Sequence, residues 1–223
     1  MFTKKELLNW YDNEYCLNRV KQDAFVIQYV KKQTEEICLI AVKRDAFVIQ
    51  YVKKQTEKIC LAAVEQDGDV LQYVSHQTEK ICLVAVKQNG LSLRHVKNQT
   101  DEICLAAVKQ NGIALQYVQN QTEKICLVAI TQNWDTIKYV KNQTEEMCLT
   151  AVKQNGFAIR HIKNQTEKIC LAAVAQNGEV IRYIKTQTKE MYLEMLYQNP
   201  DNIEHIDIQK YPELYEKYVF MIK

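Results

Sequence analysis

Apolar and polar residues recur along this chain in one fixed order. From Tyr11 it can be cut every 22 residues without a gap, with new rows opening at Gln33, Gln55, Gln77, Gln99, Gln121, Gln143, Gln165 and Gln187. The register holds to about Ile208, and the consensus row reads Q-T-E-x-I-C-L-x-A-V-K-Q-N-G-x-x-I-x-Y-V-K-N. Rows are numbered 1 to 9 from Tyr11, and a place is a position within a row. In row 2, Ile37, Cys38, Ala41 and Val42 stand at i, i+1, i+4 and i+5, one stripe of a helix that Leu39 widens. Thr at the second place suits an N-cap, and the acid that follows suits the positive end of the helix dipole. Ala at the ninth place is small enough to let a neighbouring helix approach closely.

The second half of a row is shorter. Its dependable apolar places are the seventeenth and twentieth, three apart with a polar residue between them, which predicts a second, shorter helix. Asn-Gly or Asp-Gly divides the two halves, and Gly68, Gly90, Gly112, Gly156 and Gly178 are expected as left-handed C′ caps. Ala24, Ala46 and Trp134 stand where glycine is expected, so the turn there should differ in shape.

Fixed-period self-similarity is the signature of a solenoid, and the leucine-rich alternative of similar length lacks its L-x-x-L-x-L pattern. The predicted fold is therefore all-α: an α-solenoid of about nine 22-residue helix-turn-helix repeats, with residues 11–208 forming one domain. Helices this short are unstable alone and depend on their neighbours. Capping helices are expected over 1–10, where Thr3 and Glu6 make a capping box ahead of Leu7, Leu8 and Trp10. A second is expected over 209–223, opened by Tyr211-Pro212-Glu213 and continuing through Tyr215, Tyr218, Val219 and Met221. The stretches 23–35 and 45–57 are identical, DAFVIQYVKKQTE, which points to a recent row duplication.

Net charge is +2, so no overall field argues for nucleic acid or an anionic membrane. No run of about 18 apolar residues predicts a membrane span, and the N-terminal stretch lacks the apolar core of a signal peptide. Eight cysteines recur at the sixth place: 16, 38, 60, 82, 104, 126, 148 and 170. Packed helices lie about 8–10 Å apart and a disulfide needs Cα atoms within about 7 Å. Tyr192 also takes the place in row 9. The cysteines are read as a ladder of reduced core thiols in a reducing, cytoplasmic compartment. The sequons at Asn98, Asn120, Asn142 and Asn164 are read as the approach to an N-cap Thr rather than as glycosylation sites.

Tyr at the nineteenth place, replaced by His95 and His161, makes an aromatic stripe. It could stack bases, but is read as capping the helix interface. His95 and His161, three rows apart and with no acid at the same place, predict no zinc site. A basic ridge is the better surface candidate: Arg94 and Lys97, Lys138 and Lys141, Arg160 and Lys163, Arg182 and Lys185 pair the eighteenth and twenty-first places, three apart on one helix face. Such a ridge could hold phosphates; the plainer reading is a solvated face balanced by acids such as Glu145 and Glu167. No phosphate loop, dinucleotide fingerprint or catalytic triad pattern occurs, so neither an enzyme nor a cofactor is expected. Outer places vary while core places repeat, which makes a protein-binding scaffold the first functional expectation. Nucleic-acid binding along the ridge stands second, and a self-assembling structural component third.

The elements I-C-L-x-A-V-K-Q-N-G and Y-V, at this spacing from about Tyr11 to Glu204, resemble the repeat of the domain-of-unknown-function family 4116, found in giant amoeba-infecting DNA viruses and some bacteria. The resemblance implies a tandem helical-repeat protein, viral in origin and made in the host cytoplasm, and it brings no catalytic residues.

Overall fold

A computed structural model describes residues 9–216. The chain falls into two compact units, Met1–Gln119 and Asn120–Lys223. All regular structure among the described residues is helical, and each unit is a stack of rows in α-solenoid fashion. In the first unit the α-helices are Asn13–Gln22, Glu35–Arg44, Glu57–Val64, Glu79–Gln88 and Asp101–Gln110. In the second they are Glu123–Gln132, Glu145–Gln154, Glu167–Gln176 and Lys189–Gln198. Within a unit each packs on the α-helix of the next row and on the second segment of its own. Thr3, Glu6, Leu7 and Leu8 of the expected first cap, and Tyr218, Val219 and Met221 of the expected last one, lie outside the described residues. Trp10 is buried, and helix is present at 212–216.

The second segment of every row is a six-residue 3₁₀ helix, as in Gly90–His95 and Gly156–His161. The sixteenth and seventeenth places of this helix turn inward, and so does the twentieth, the extended residue that ends it. The sixteenth was not legible as core because its chemistry changes from row to row: Val70, Ser92, Ala114 and Thr136 are all buried there. The fifth, sixth, ninth and tenth places supply the rest of the core, for example Ile103, Cys104, Ala107 and Val108. The seventh-place leucines, Leu105 among them, are only half-buried.

The turn between the two helices corrects the expectation of a left-handed cap: no residue among those described, glycine included, has a positive φ. Asn89 is extended at φ −143° and does both jobs itself. Its N–H donates to the Ala85 carbonyl at 2.9 Å, closing the α-helix, and its side chain accepts from Leu91 N–H at 3.0 Å, opening the 3₁₀ helix. The same Asx turn forms at Asp23, Asp45 and Asn133, so Ala24, Ala46 and Trp134 leave the turn unchanged. Glycine is there for space. A Cβ on Gly68, Gly90 or Gly156 would stand 2.4, 2.5 or 2.6 Å from the ninth-place Ala carbonyl oxygen of the following row. That Ala is small and that Gly is absent-chained for one reason, the close approach of two backbones.

Two glutamines stitch neighbouring rows. The first-place Gln lies half-buried between two 3₁₀ helices. Gln33 Nε2 donates to the Ile27 carbonyl of the row before at 3.1 Å and to the Tyr51 carbonyl of its own row at 2.9 Å, while its Oε1 accepts from Lys53 N–H at 2.8 Å. Gln55, Gln77, Gln99, Gln143 and Gln165 repeat all three bonds. The twelfth-place Gln reaches back to the preceding glycine. Gly68, Gly90, Gly156 and Gly178 donate their N–H to Gln88, Gln110, Gln176 and Gln198 at 2.7, 2.7, 2.5 and 2.9 Å. These buried backbone groups need partners, and the amides supply them.

Candidate binding face

The 3₁₀ segments carry two outer places that vary, the fifteenth and eighteenth, beside the Tyr or His of the nineteenth. On this face the fifteenth-place side chain of one row meets the nineteenth-place side chain of the next. Phe25 packs against Tyr51 with ring centroids 6.2 Å apart, Phe47 against Tyr73 at 6.1 Å and Phe157 against Tyr183 at 6.0 Å. Where histidine replaces tyrosine, an acid replaces the partner. His161 Nε2 is 3.4 Å from Asp135, and His95 sits beside Arg94, which holds Asp69. His205 follows the same rule in sequence, one row on from Glu179. The expectation that these histidines lack an acid looked for one at the same place, whereas the partner stands one row earlier at a different place. Burial, and after it the Arg94 charge, lower the His95 pKa against an opposing pull from Asp69.

The expected ridge divides into two sets. Each 3₁₀ helix ends at the nineteenth place, and the twenty-first lies beyond an extended twentieth residue, so the two basic places do not share a helix face. Eighteenth-place cations turn to the pair chemistry just described. Arg94 Nη2 is 2.6 Å from Asp69 Oδ2, and the Ser92 hydroxyl donates to Asp69 Oδ1 at 2.8 Å. Lys138 is bonded to Asp135, and Arg182 is 3.5 Å from Glu179. Arg160 and Arg182 lie 5.1 and 5.2 Å from the Tyr183 ring centroid, within cation–π range.

Twenty-first-place lysines reach instead to carbonyls of the preceding row. Lys97 Nζ donates to Ser75 at 3.3 Å, and Lys163 Nζ donates to Lys141 at 2.9 Å. Lys141 and Lys185 are exposed, and their backbone N–H groups donate to Gln121 and Gln165. The acids opening each helix balance other charges. Glu145 pairs with Lys168 at 3.4 Å, and Glu35 accepts from the Thr56 hydroxyl at 3.0 Å and pairs with Lys58 at 3.7 Å.

The eight thiols are all buried and free. Cys82 and Cys104 point at the first-place Gln oxygen of their own rows, at 3.9 and 3.6 Å. Burial, reinforced by the acid that opens the helix, pushes Cys38 and Cys104 up to about 11, and burial raises the other six as well. Thiols in that state are poor nucleophiles and poor metal ligands. Among the described residues no three His, Cys, Asp or Glu side chains gather into a metal-holding group, and no helix is long and apolar enough to cross a membrane.

No curated protein and no solved structure matches the chain. A family model described as a domain of unknown function (DUF4116) matches residues 56–100, 78–121 and 144–189, just over half of the sequence in tandem. The matched stretches contain the Thr cap, the Cys-Leu and Ala-Val core and the Gln-Asn-Gly turn whose geometry is given above. The chain belongs to the DUF4116 family.

Proposed function

We propose that this protein is a non-enzymatic scaffold that binds another protein across its 3₁₀ face, in the cytoplasm of a host cell. The observation that carries this reading is the contrast between the places that hold rows together and the outer places. First- and twelfth-place Gln, sixth-place Cys and ninth-place Ala recur to hold rows together, while the outer eighth, eleventh, fifteenth and eighteenth places vary among rows and the nineteenth alternates between Tyr and His. A constant frame with variable outward pairs is how repeat proteins present a partner-specific surface. Nucleic acid is the weaker reading, because Arg94, Lys138 and Arg182 already lie against acids and Lys97 and Lys163 against carbonyls.

The test is affinity capture from host-cell lysate, with and without nuclease, using the wild type, a face variant (Phe157→Ala with Arg160→Glu) and a variant on the α-helical side (Lys109→Ala). Retention of the same proteins after nuclease by the wild type and Lys109→Ala, but not by the face variant, supports the scaffold. Recovery that collapses with nuclease, together with RNA or DNA affinity falling steeply with salt, replaces it with the nucleic-acid reading. Concentration-dependent oligomers with no captured partner would instead favour a self-assembling component.

A further inference from the structure

We infer that Asn111 is a site of spontaneous covalent modification: the fold leaves it free to cyclise on Gly112 and deamidate, while it protects the other three Asn-Gly pairs of the chain. The step needs no enzyme and no co-reactant but water. The Gly112 nitrogen bonds to Asn111 Cγ, the Cγ–Nδ2 bond breaks, and ammonia leaves with the proton given up by the Gly112 N–H. Water then opens the resulting succinimide ring at one of its two carbonyls, leaving aspartate or isoaspartate. Glycine after asparagine permits this because no side chain crowds the attacking nitrogen.

The four pairs form a matched set. Asn89, Asn111, Asn155 and Asn177 are all half-buried, and the glycine after each is buried. Their backbones are alike, at φ −143°, −151°, −154° and −155° with ψ 109°, 111°, 118° and 113°. Each side chain is held the same way, its oxygen accepting from the N–H two residues on at 3.0, 3.0, 2.9 and 2.9 Å. One bond separates them. The N–H groups of Gly90, Gly156 and Gly178 donate to Gln110, Gln176 and Gln198 at 2.7, 2.5 and 2.9 Å, whereas among the described residues that of Gly112 has no acceptor.

That bond decides the chemistry. The succinimide nitrogen carries no hydrogen, so a glycine whose N–H is donated must give up its hydrogen bond before the ring can close. The loss raises the barrier, and Gly112 has no such bond to lose. The aspartyl product fits the turn unchanged. Asp23, Asp45 and Asp67 stand at the same place in rows 1 to 3, and each accepts from the N–H two residues on at 2.9 Å, as Asn111 does from Ile113 at 3.0 Å. The isoaspartyl product does not fit. It adds one main-chain atom between two bonds that define the turn: Asn111 N–H donates to the Ala107 carbonyl at 2.9 Å, and Ala114 N–H donates to the Asn111 carbonyl at 2.9 Å. Deamidation here therefore either adds a negative charge to an intact row or opens the junction between its two helices.

The experiment incubates the full chain at mildly alkaline pH, folded and in denaturant, and follows each Asn-Gly pair by peptide mapping and mass spectrometry. In the folded chain Asn111 should convert at least about fivefold faster than Asn89, Asn155 or Asn177, the factor that one lost hydrogen bond represents. In denaturant the four should convert at similar rates. A second arm uses Gln176→Leu, which leaves the Gly156 N–H without its acceptor and should bring Asn155 up to the rate of Asn111, with circular dichroism verifying the fold. Equal rates at the four pairs in the folded chain, an Asn111 that stays intact while the denatured chain deamidates, or the same lead for Asn111 in denaturant overturns the inference. A folded Gln176→Leu chain in which Asn155 keeps its slow rate overturns it too; should that variant not fold, the wild-type comparison decides alone.

Discussion

The interior rows and the two end rows solve the same problem with different atoms. Inside a unit, a first-place Gln oxygen accepts from the twenty-first-place backbone N–H and lies against the row's thiol. Row 1 has Tyr11 instead of Gln, and the Trp10 carbonyl takes over both contacts, accepting from Lys31 N–H at 3.1 Å and from the Cys16 thiol at 3.5 Å. In row 9 the thiol is replaced by Tyr192, whose hydroxyl donates to Gln187 and accepts from Asp207 N–H at 3.3 Å, so a ring spans the gap. The glycine of that row becomes Pro200, which has no N–H to offer. Residues in this repeat are thus chosen as coupled sets. At each end a neighbouring group takes over the contacts of the residue that departs, while Cys16 in row 1 and Gln187 in row 9 keep the consensus identity.

Substitutions inside and at the ends should separate these sets by size of effect. The largest is expected in the interior core: Ile103→Ala should cost about 2–5 kcal/mol by chemical denaturation. Leu105→Ala should cost about half as much, because Leu105 is half-exposed and lines an open groove with Leu83. Gln99→Leu falls between them at about 3 kcal/mol, roughly 1 kcal/mol for each of its three bonds, one to the row before and two within its own row. Gln187→Leu in the last row should cost clearly less, and equal costs would contradict the distinction between interior and end.

Gly90→Ala should destabilise by about 1–3 kcal/mol, since its new methyl would press on the Ala107 carbonyl. Gly178→Ala should be milder, because what its Cβ meets first is the flexible Met195 side chain at 3.0 Å.

The thiol ladder makes a pH prediction. A thiol whose pKa is raised by folding stabilises the native state below its unfolded value and loses that contribution as pH climbs through the folded one. The melting temperature should therefore decline between pH 9 and about 11, less steeply in Cys104→Ala, and should not change with reductant at pH 7. The smallest effect is a swap on the variable face. Asp135→Phe and His161→Tyr should each cost about 0.5–1 kcal/mol, and the double substitution should recover most of it by recreating the Phe157–Tyr183 pair one row away.

Much of this was legible in the chain because a repeat supplies its own alignment. The period, the Thr caps, and the fifth, sixth, ninth, tenth, seventeenth and twentieth core places follow from comparing rows. What stayed hidden were relations between rows. An amide at the first place reads as a turn residue until the row behind it is in view, although its invariance from Gln33 to Gln187 was the available signal. Glycine after Asn suggested a left-handed cap because that is its local use, whereas here the cause is a carbonyl on the next row. Acid–histidine pairing links different places in adjacent rows, so comparing like with like could not find it. The ridge was placed on one helix face because a six-residue 3₁₀ helix and a short α-helix share an apolar spacing of three.

Because each first-place amide reaches only one row back, a row added in register brings every bond it needs and asks nothing of more distant parts. The repeated stretch 45–57 meets this condition: its Phe47 and Tyr51 close on Tyr73 and Phe25 as though no residues had been added. Lineages could therefore lengthen or shorten the array by whole rows through recombination between near-identical coding units. The length of the chain would then answer to the size of what it holds rather than to the stability of what holds it.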